Sequence, residues 1–326
     1  MARLFQNFVD LFCGIGGFRI AMEEHGLRCV WSCDIDRTAR NVYHDNYGER
    51  PAGDIKVFRS EDIPPMDVIC GGFPCQPFSV GGKMTGFKHK DGDLIWEVYR
   101  ITEYHKPKML ILENVPHIKN CEGKVLTTIC NEFTKLGYNC QWFELNGAEF
   151  GIPQARKRVY FLFLRNDIFD KVTIEYDGLR KAMWRLTCIE DIVEPLEAIA
   201  DDRWQENDKF DIYQAKVPQG RTSVAVCIGD KRVAEDGSVI TGGSKQGLRV
   251  YSDKGVFATL TPRGNFIWDS RREQVRKLTK REVLRLQGFD DNFKINDKHV
   301  FRLVGNSVIP QMISLIYGMV KYRAEV

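Results

Sequence analysis

The sequence predicts an α/β protein: a mostly parallel, Rossmann-like sheet flanked by helices, with a smaller β- and loop-rich domain placed late in the chain. Three observations carry this. Short apolar runs alternate with helical patterns through the first half, and that alternation makes a parallel sheet covered on both faces. After about residue 180 the periodicity weakens, and glycines, charges and short β-like pieces take over. From Leu278 the helical pattern returns. The large domain is therefore expected to be discontinuous, 1–185 plus 276–326, around a smaller domain at 186–275.

The elements follow in order. "FVDLF" is a strand, "GFRIAMEEHG" a helix closed by Gly26, and "RCVWSCDID" a second strand. "RTARNVYHDNYG" is a helix ended by Gly48, "MDVICGG" a buried strand, "LIWEVYRITEYHK" a helix and "KMLILENV" a strand. "VLTTICNEFTKLG", "YNCQWFELN" and "RVYFLFL" continue the pattern. "TSVAVCIG", "LRVYS" and "VFATLT" are the β-like pieces of the smaller domain. In "TKREVLRLQGF", Thr279 and Glu282 have capping-box spacing. The final helix, "VIPQMISLIYGMVKYR", tolerates Pro310 in its first turn and is expected to pack back on the large domain.

Composition narrows the class. The 326 residues, 43% apolar and 28% charged, suffice for a full core and exclude a disordered chain. No apolar run approaches the roughly 20 residues of a membrane span, and "MARLFQNFVDLF" lacks a signal peptide's apolar centre. A cytoplasmic protein is expected. Its ten cysteines are then expected to be reduced core residues or a nucleophile rather than a disulfide framework. Cys29/Cys33 and Cys70/Cys75 lack a zinc site's two-residue gap and the histidines are scattered, so no metal site is expected. Between Lys216 and Arg281 there are 14 basic and 6 acidic residues, net +8; against the overall +3 the remainder is net −5. That split suits a basic surface facing a polyanion, or simply a solvated face.

The chemistry-bearing residues fall at strand ends. "DLFCGIGGF" sets Gly14, Gly16 and Gly17 between the first strand and first helix, where backbone can approach a ligand closely. Asp34 ends the next strand at the spacing of a ribose-binding acid. Asp54 could accept from an adenine amino group, with Ile35 and Ile55 on either side of the ring; its alternative is a turn cap. Cys75, in "GGFPCQPFS", is a thiol held between Pro74 and Pro77 beside Gln76 and Ser79. Glu113 of "ENV" is expected on the same sheet edge as Cys75, and "QARKR" is expected to put Arg156 and Arg158 on one strand face. A thiol, an acid, paired arginines and an adenosine site suit attack on an electron-poor ring by a cofactor-dependent transferase.

Together, "DLFCGIGGF", "GGFPCQPFS", "ENV", "QARKR" and "GNSV", running from Asp10 to Val308, resemble the bacterial DNA (cytosine-5) methyltransferases of restriction–modification systems. The resemblance implies an S-adenosylmethionine-dependent fold and methylation of a cytosine flipped out of double-stranded DNA. It implies a cofactor site of Phe12, Gly14, Ile15, Gly17, Asp34, Ile35, Asp54, Ile55, Pro74, Leu94, Asn306 and Ser307, with S-adenosylhomocysteine as product. Cys75 would attack C6, Glu113 would act at N3, Arg158 with Arg156 would contact the base, and Gln76 and Ser79 would flank the nucleophile. Lys83, Lys88 and Lys90 would meet phosphates from a loop closing over DNA. "GGSKQGLRVYSDKGVFATLT" resembles the recognition segment of GCGC-modifying enzymes, which would put Gln246, Arg249, Tyr251 and Thr259 on DNA. A monomer is expected, with any cognate endonuclease acting separately. A tRNA cytosine-5 methyltransferase on the same core and a non-catalytic DNA binder are the competing readings. A dinucleotide oxidoreductase is disfavoured by the G-x-G-G spacing and leaves Cys75 unexplained.

Overall fold

In β1 (Asn7–Leu11), Val9 and Leu11 enter one apolar core, while Phe8 and Asp10 alternate to the other face. Both faces are buried, as a strand in the middle of a covered parallel sheet requires. The structure, a computed structural model, describes residues 4–74, 94–119, 124–169, 173–175, 187–212, 220, 222, 225–231, 248–262, 265–296 and 298–325.

β1 pairs in parallel with β2 (Arg28–Cys33) and with β3 (Val68–Gly72), and β3 in parallel with β4 (Met109–Asn114). β7 (Lys157–Arg165) then pairs antiparallel with β4, and β5 (Tyr138–Asn146) lies beyond it, giving the order β2-β1-β3-β4-β7-β5. The chain reverses direction across the sheet between β1 and β3, so the crevice beyond their C-terminal ends is the expected ligand position.

Local sequence sets the helices. α1 (Gly17–Glu24) follows the glycine turn, and α2 (Arg37–Tyr47) starts where the Asp36 carboxylate accepts from the Thr38 and Ala39 amides. Gly48, at φ 73°, ends α2. α3 (Ile95–His105) and α4 (Lys124–Lys135) cover the face of Val9, Ile69, Leu112 and Phe161 with Val98, Ile101, Ile129 and Phe133.

The chain forms two compact units. The first is Met1–Leu145, Lys157–Lys181 and Pro310–Val326; the second is Asn146–Arg156 and Ala182–Ile309. Residues 276–309, grouped with the large domain by sequence pattern, cluster with the second unit. The last helix returns to the first unit as expected: His25 Nε2 lies 2.8 Å from Ser314 Oγ, and its ring packs on Tyr317. One stretch, Val300–Ala324, does reach the length and mean hydropathy (1.4) of a membrane span, but 61% of that window is buried within the protein. The expectation of reduced cysteines fails at one place. α4 and β5 bring Cys130 and Cys140 to a Cα separation of 5.4 Å, and they are disulfide-linked. Cys13, Cys29, Cys33, Cys70, Cys188 and Cys227 are free.

The second unit holds a five-stranded sheet: β8 (Phe210–Ile212), β9 (Cys227–Lys231), β10 (Arg249–Ser252), β12 (Phe266–Asp269) and β13 (Gln274–Lys277). A two-stranded piece pairs β6 (Gln154–Ala155) with β11 (Phe257–Ala258). The five-stranded sheet's apolar cluster is small: Phe210, Ile228, Val250, Phe266, Trp268 and Val275. Beside it, Arg276 is fully buried and bonds Asp269 at 2.7 Å and both Glu282 oxygens at 2.7 and 2.8 Å. Glu282 also closes the expected capping box with Thr279 at the start of α5 (Lys280–Leu286). α6 (Val300–Asn306) and α7 (Pro310–Glu325) complete the chain.

Removing one partner of a buried charge cluster leaves the other desolvated. Glu282→Ala should therefore lower unfolding free energy by about 3–5 kcal/mol, measured by urea denaturation. A loss under about 1 kcal/mol would show that Arg276 finds another partner.

Candidate active site

The glycine turn is held against the end of β2 by one carboxylate. Asp34 Oδ2 accepts from the Gly14 amide at 2.8 Å and Oδ1 from the Asp36 amide at 2.7 Å. Gly14 stands at φ 54° and Gly16 at φ 93°, a region costly for other residues. A Cβ on Gly16 would also meet the Tyr47 ring at 2.5 Å, and the Tyr47 hydroxyl donates to the Gly16 carbonyl. Phe12, before the turn, sits at φ 55° without being glycine, which costs on the order of 1–3 kcal/mol.

Asp54 reaches the same edge because Ala52 bridges Cys33 in parallel, with Ala52 N–H bonded to Ser32 O and Asp34 N–H to Ala52 O. Its carboxylate caps a short 3-10 turn through the Lys56 amide at 3.0 Å, so the capping alternative is met. Ile35 is 75% exposed and offers an apolar surface. Ile55 and Ile15 do not: both side chains are buried in the core, so Ile15 can meet a ligand only through main chain. Val57, 73% exposed and two residues beyond Ile55, is an apolar candidate that sequence reading passed over. Pro74 is exposed at the end of β3, and Leu94 half-buried at the start of α3.

Strand parity builds the acid. Leu110 and Leu112 of β4 enter the α3/α4 core, so Glu113 lies on the other face. Val159 and Phe161 of β7 do the same, which puts Arg158 on Glu113's face. The antiparallel register pairs Glu113 with Tyr160 and Asn114 with Val159, and Arg158 Nε lies 2.9 Å from Glu113 Oε1, both side chains nearly buried. Asn114, the middle residue of "ENV", is 2% exposed and donates to the Phe73 carbonyl at 3.0 Å. It thereby fixes the backbone entering Pro74.

Arg156 does not share that strand face. β7 begins at Lys157, and the buried Arg156 guanidinium donates to the Ser307 carbonyl at 2.8 Å within the second unit. Asn306 is exposed and Ser307 buried at the end of α6. Thr259 is half-buried and bonds the Ala155 carbonyl; Arg249 is half-buried. Tyr251 departs from its expected place on DNA: it is 3% exposed, with its ring against Phe257. Cys75, Gln76, Ser79, Lys83, Lys88, Lys90 and Gln246 lie outside the described residues. Among the described residues, the free thiols of the first unit are held protonated by burial: Cys29 and Cys33 are pushed up to about 12, and Cys13 and Cys70 well above the ordinary thiol range.

Comparison with known proteins follows the same lines. A family model for C-5 cytosine-specific DNA methylases matches residues 6–321. The chain is 33% identical over 321 residues to the Type II methyltransferase M.HhaI of Haemophilus parahaemolyticus, covering 95% of this chain and 92% of that one. Against M.HpaII of Haemophilus parainfluenzae it is 34% identical over 313 residues, covering 93% and 85%. Among solved structures, the Dnmt2 methyltransferase of S. pombe superposes with a TM-score of 0.71 at 18% identity, over 97% of this chain and 98% of that one, a likeness of fold.

Asp10 is fully buried beside this turn, with neither carboxyl oxygen in a well-formed hydrogen bond among the described residues. Burial raises its carboxyl well above the usual range. The folded state then holds a proton that the unfolded chain releases near pH 4, so Asp10 costs stability increasingly as pH rises above that value. Asp10→Asn should flatten this dependence and raise the melting temperature more at pH 8 than at pH 5. Equal shifts at both would mean that Asp10 is ionised in the fold.

Proposed function

The chain belongs to the C-5 cytosine-specific DNA methylases, and from that premise we propose how its own residues methylate a cytosine flipped from double-stranded DNA. It is a DNA (cytosine-5-)-methyltransferase, EC 2.1.1.37, of the restriction–modification type. The observation that supports the residue assignment is the Glu113–Arg158 pair on the sheet edge where β3 runs into Pro74, the residue before Cys75 in sequence.

The residues present fit S-adenosylmethionine. Asp34 has each oxygen engaged once by main chain, which leaves acceptor capacity for ribose hydroxyls. Ile35 offers its exposed face to an adenine, Asp54 an acceptor, and Phe12, Gly14, Ile15 and Gly17 the main chain around the methionine end. Pro74, Leu94, Asn306 and Ser307 complete the lining, while Ile55, buried in the core, supports it from beneath. When bound, this cofactor supplies an electrophilic methyl group on a sulfonium, and S-adenosylhomocysteine is left.

A base stacked in a duplex cannot reach a thiol, so the target is extruded, at a cost of a few kcal/mol. The Cys75 thiolate adds to C6 while Glu113 holds a proton at N3, and the ring electrons shift to make C5 nucleophilic. Once C5 is methylated, loss of its proton expels the thiolate and restores the aromatic ring. Arg158 orients the base. Arg156 supports Ser307, while Gln76 and Ser79 steady the nucleophile's turn. Lys83, Lys88 and Lys90 engage phosphates, as does the recognition segment through Gln246, Arg249 and Thr259. Functionally, 1–185 with 276–326 acts as catalytic domain and 186–275 as recognition domain. The enzyme acts as a cytoplasmic monomer, and any cognate endonuclease acts separately.

Cys75→Ala should abolish transfer of tritiated methyl to duplex DNA while retaining S-adenosylhomocysteine binding, and tRNA should remain unlabelled. Full activity in that variant would sink the mechanism. Arg158→Ala should cut kcat by about 100-fold, with little change in cofactor affinity. Bisulfite sequencing of a plasmid from expressing cells should show one fixed sequence context.

Burial raises the Asp34 carboxyl, while the Asp36 and Gly14 amides oppose the shift. A protonated carboxyl is a poorer acceptor, so cofactor affinity should weaken as pH falls, beginning above the ordinary carboxylate range. Asp34→Asn should bind weakly and without that pH dependence; a wild-type affinity flat from pH 8 to pH 4 would contradict the role.

A further inference from the structure

Two glutamines with no part in the chemistry form a polarised chain through the core of the second unit. Gln154 and Gln287 are both fully buried. The Leu260 amide donates to Gln154 Oε1 at 3.3 Å, and Gln154 Nε2 donates to Gln287 Oε1 at 2.8 Å and to the Leu286 carbonyl at 3.1 Å. Gln287 Nε2 then donates to the Ser307 carbonyl at 2.7 Å, which also accepts from Arg156. One end of this chain is a backbone N–H, which can only donate, and the other a backbone C=O, which can only accept. Neither amide can flip without setting donor against donor. A second contact joins the same two segments, because a Cβ on Gly305 would lie 3.7 Å from Leu260 Cβ.

We propose that Gln154 and Gln287 are positioning residues that couple the Asn306–Ser307 segment to the recognition segment at Thr259–Leu260, making cofactor and DNA affinity mutually dependent. This rests on the reading above, in which Asn306 and Ser307 line the cofactor and Thr259, the neighbour of Leu260, meets DNA. A shift of the Thr259–Leu260 backbone on DNA lengthens or tightens the first bond. The rest of the chain has no alternative pairing, so the Ser307 carbonyl follows. Coupling of this kind is reciprocal: DNA must tighten the cofactor product by the factor by which the product tightens DNA.

The test titrates S-adenosylhomocysteine into the full chain, with and without sheared plasmid DNA that the wild type methylates. The wild type should bind the product at least about fivefold more tightly with DNA. Gln154→Met and Gln287→Met, of similar shape but without amide groups, should each bring that factor to within about twofold of one. The double variant should lose no more than the worse single, since both act in one chain. If a single variant unfolds, the double carries the comparison, because removing both partners leaves fewer unpaired groups. Variants that keep the wild-type factor, multiplicative single effects, or a wild type with no DNA dependence would each overturn the coupling. A wild type that transfers no tritiated methyl to DNA would instead overturn the functional reading on which it rests.

Discussion

The site depends on one reversal of direction: β7 runs antiparallel to β4 in an otherwise parallel succession. A parallel strand presents its C-terminal end at the ligand edge, and an antiparallel neighbour presents its N-terminal end there. Glu113, near the end of β4, therefore meets Arg158, near the start of β7, although they are far apart in sequence. Had β7 run parallel, Arg158 would stand at the opposite edge, a strand length away. Parity then puts the two side chains on one face, and their 2.9 Å contact follows from direction and alternation together.

The same edge holds its backbone in costly conformations, and neighbours maintain them. Phe12, Gly14 and Gly16 all have positive φ, and the turn keeps its shape because Asp34 grips the Gly14 amide and Tyr47 the Gly16 carbonyl. Gly71 of β3 completes the fit: a Cβ there would lie 3.0 Å from the Leu11 carbonyl. This close approach of β3 to the end of β1 falls at the sheet's reversal point, where open α/β sheets take their ligands. A floor organised in advance costs little to order when a ligand arrives.

Local signals were legible in the sequence, and long-range burial was not. The glycine turn, Gly48, the Thr279–Glu282 box and the strand-end acids depend on spacing within a few residues, and the structure has each where that spacing puts it. Ile15 and Ile55 match ligand-facing positions in a motif, yet only tertiary packing decides that their side chains turn inward. Tyr251 reads as an exposed recognition residue until Phe257 covers its ring. Arg156 and Arg158 differ by two in number, which suggests one strand face, but the strand begins between them. Gln154, Gln287 and Arg276 carry no local signature, because their partners lie in other segments. The Cys130–Cys140 link likewise depends on α4 meeting β5.

Under the proposed function, the Glu113–Arg158 pair also bears on which base is accepted. Two charged side chains, Glu113 11% and Arg158 12% exposed, stand 2.9 Å apart as an ion pair before substrate arrives. An entering base must take over part of that compensation, or it leaves a charge desolvated at a cost of several kcal/mol. Cytosine presents a donor at N4 and an acceptor at O2 on the edge facing such a pair, one for the carboxylate and one for the guanidinium. Thymine presents a carbonyl where cytosine has its amino group, and would set oxygen against Glu113. Discrimination of this sort comes from the group left unpaired by the wrong base rather than from stronger attraction to the right one. Under the proposed function, this ion pair is thus the element that would make an incorrect base costly to admit.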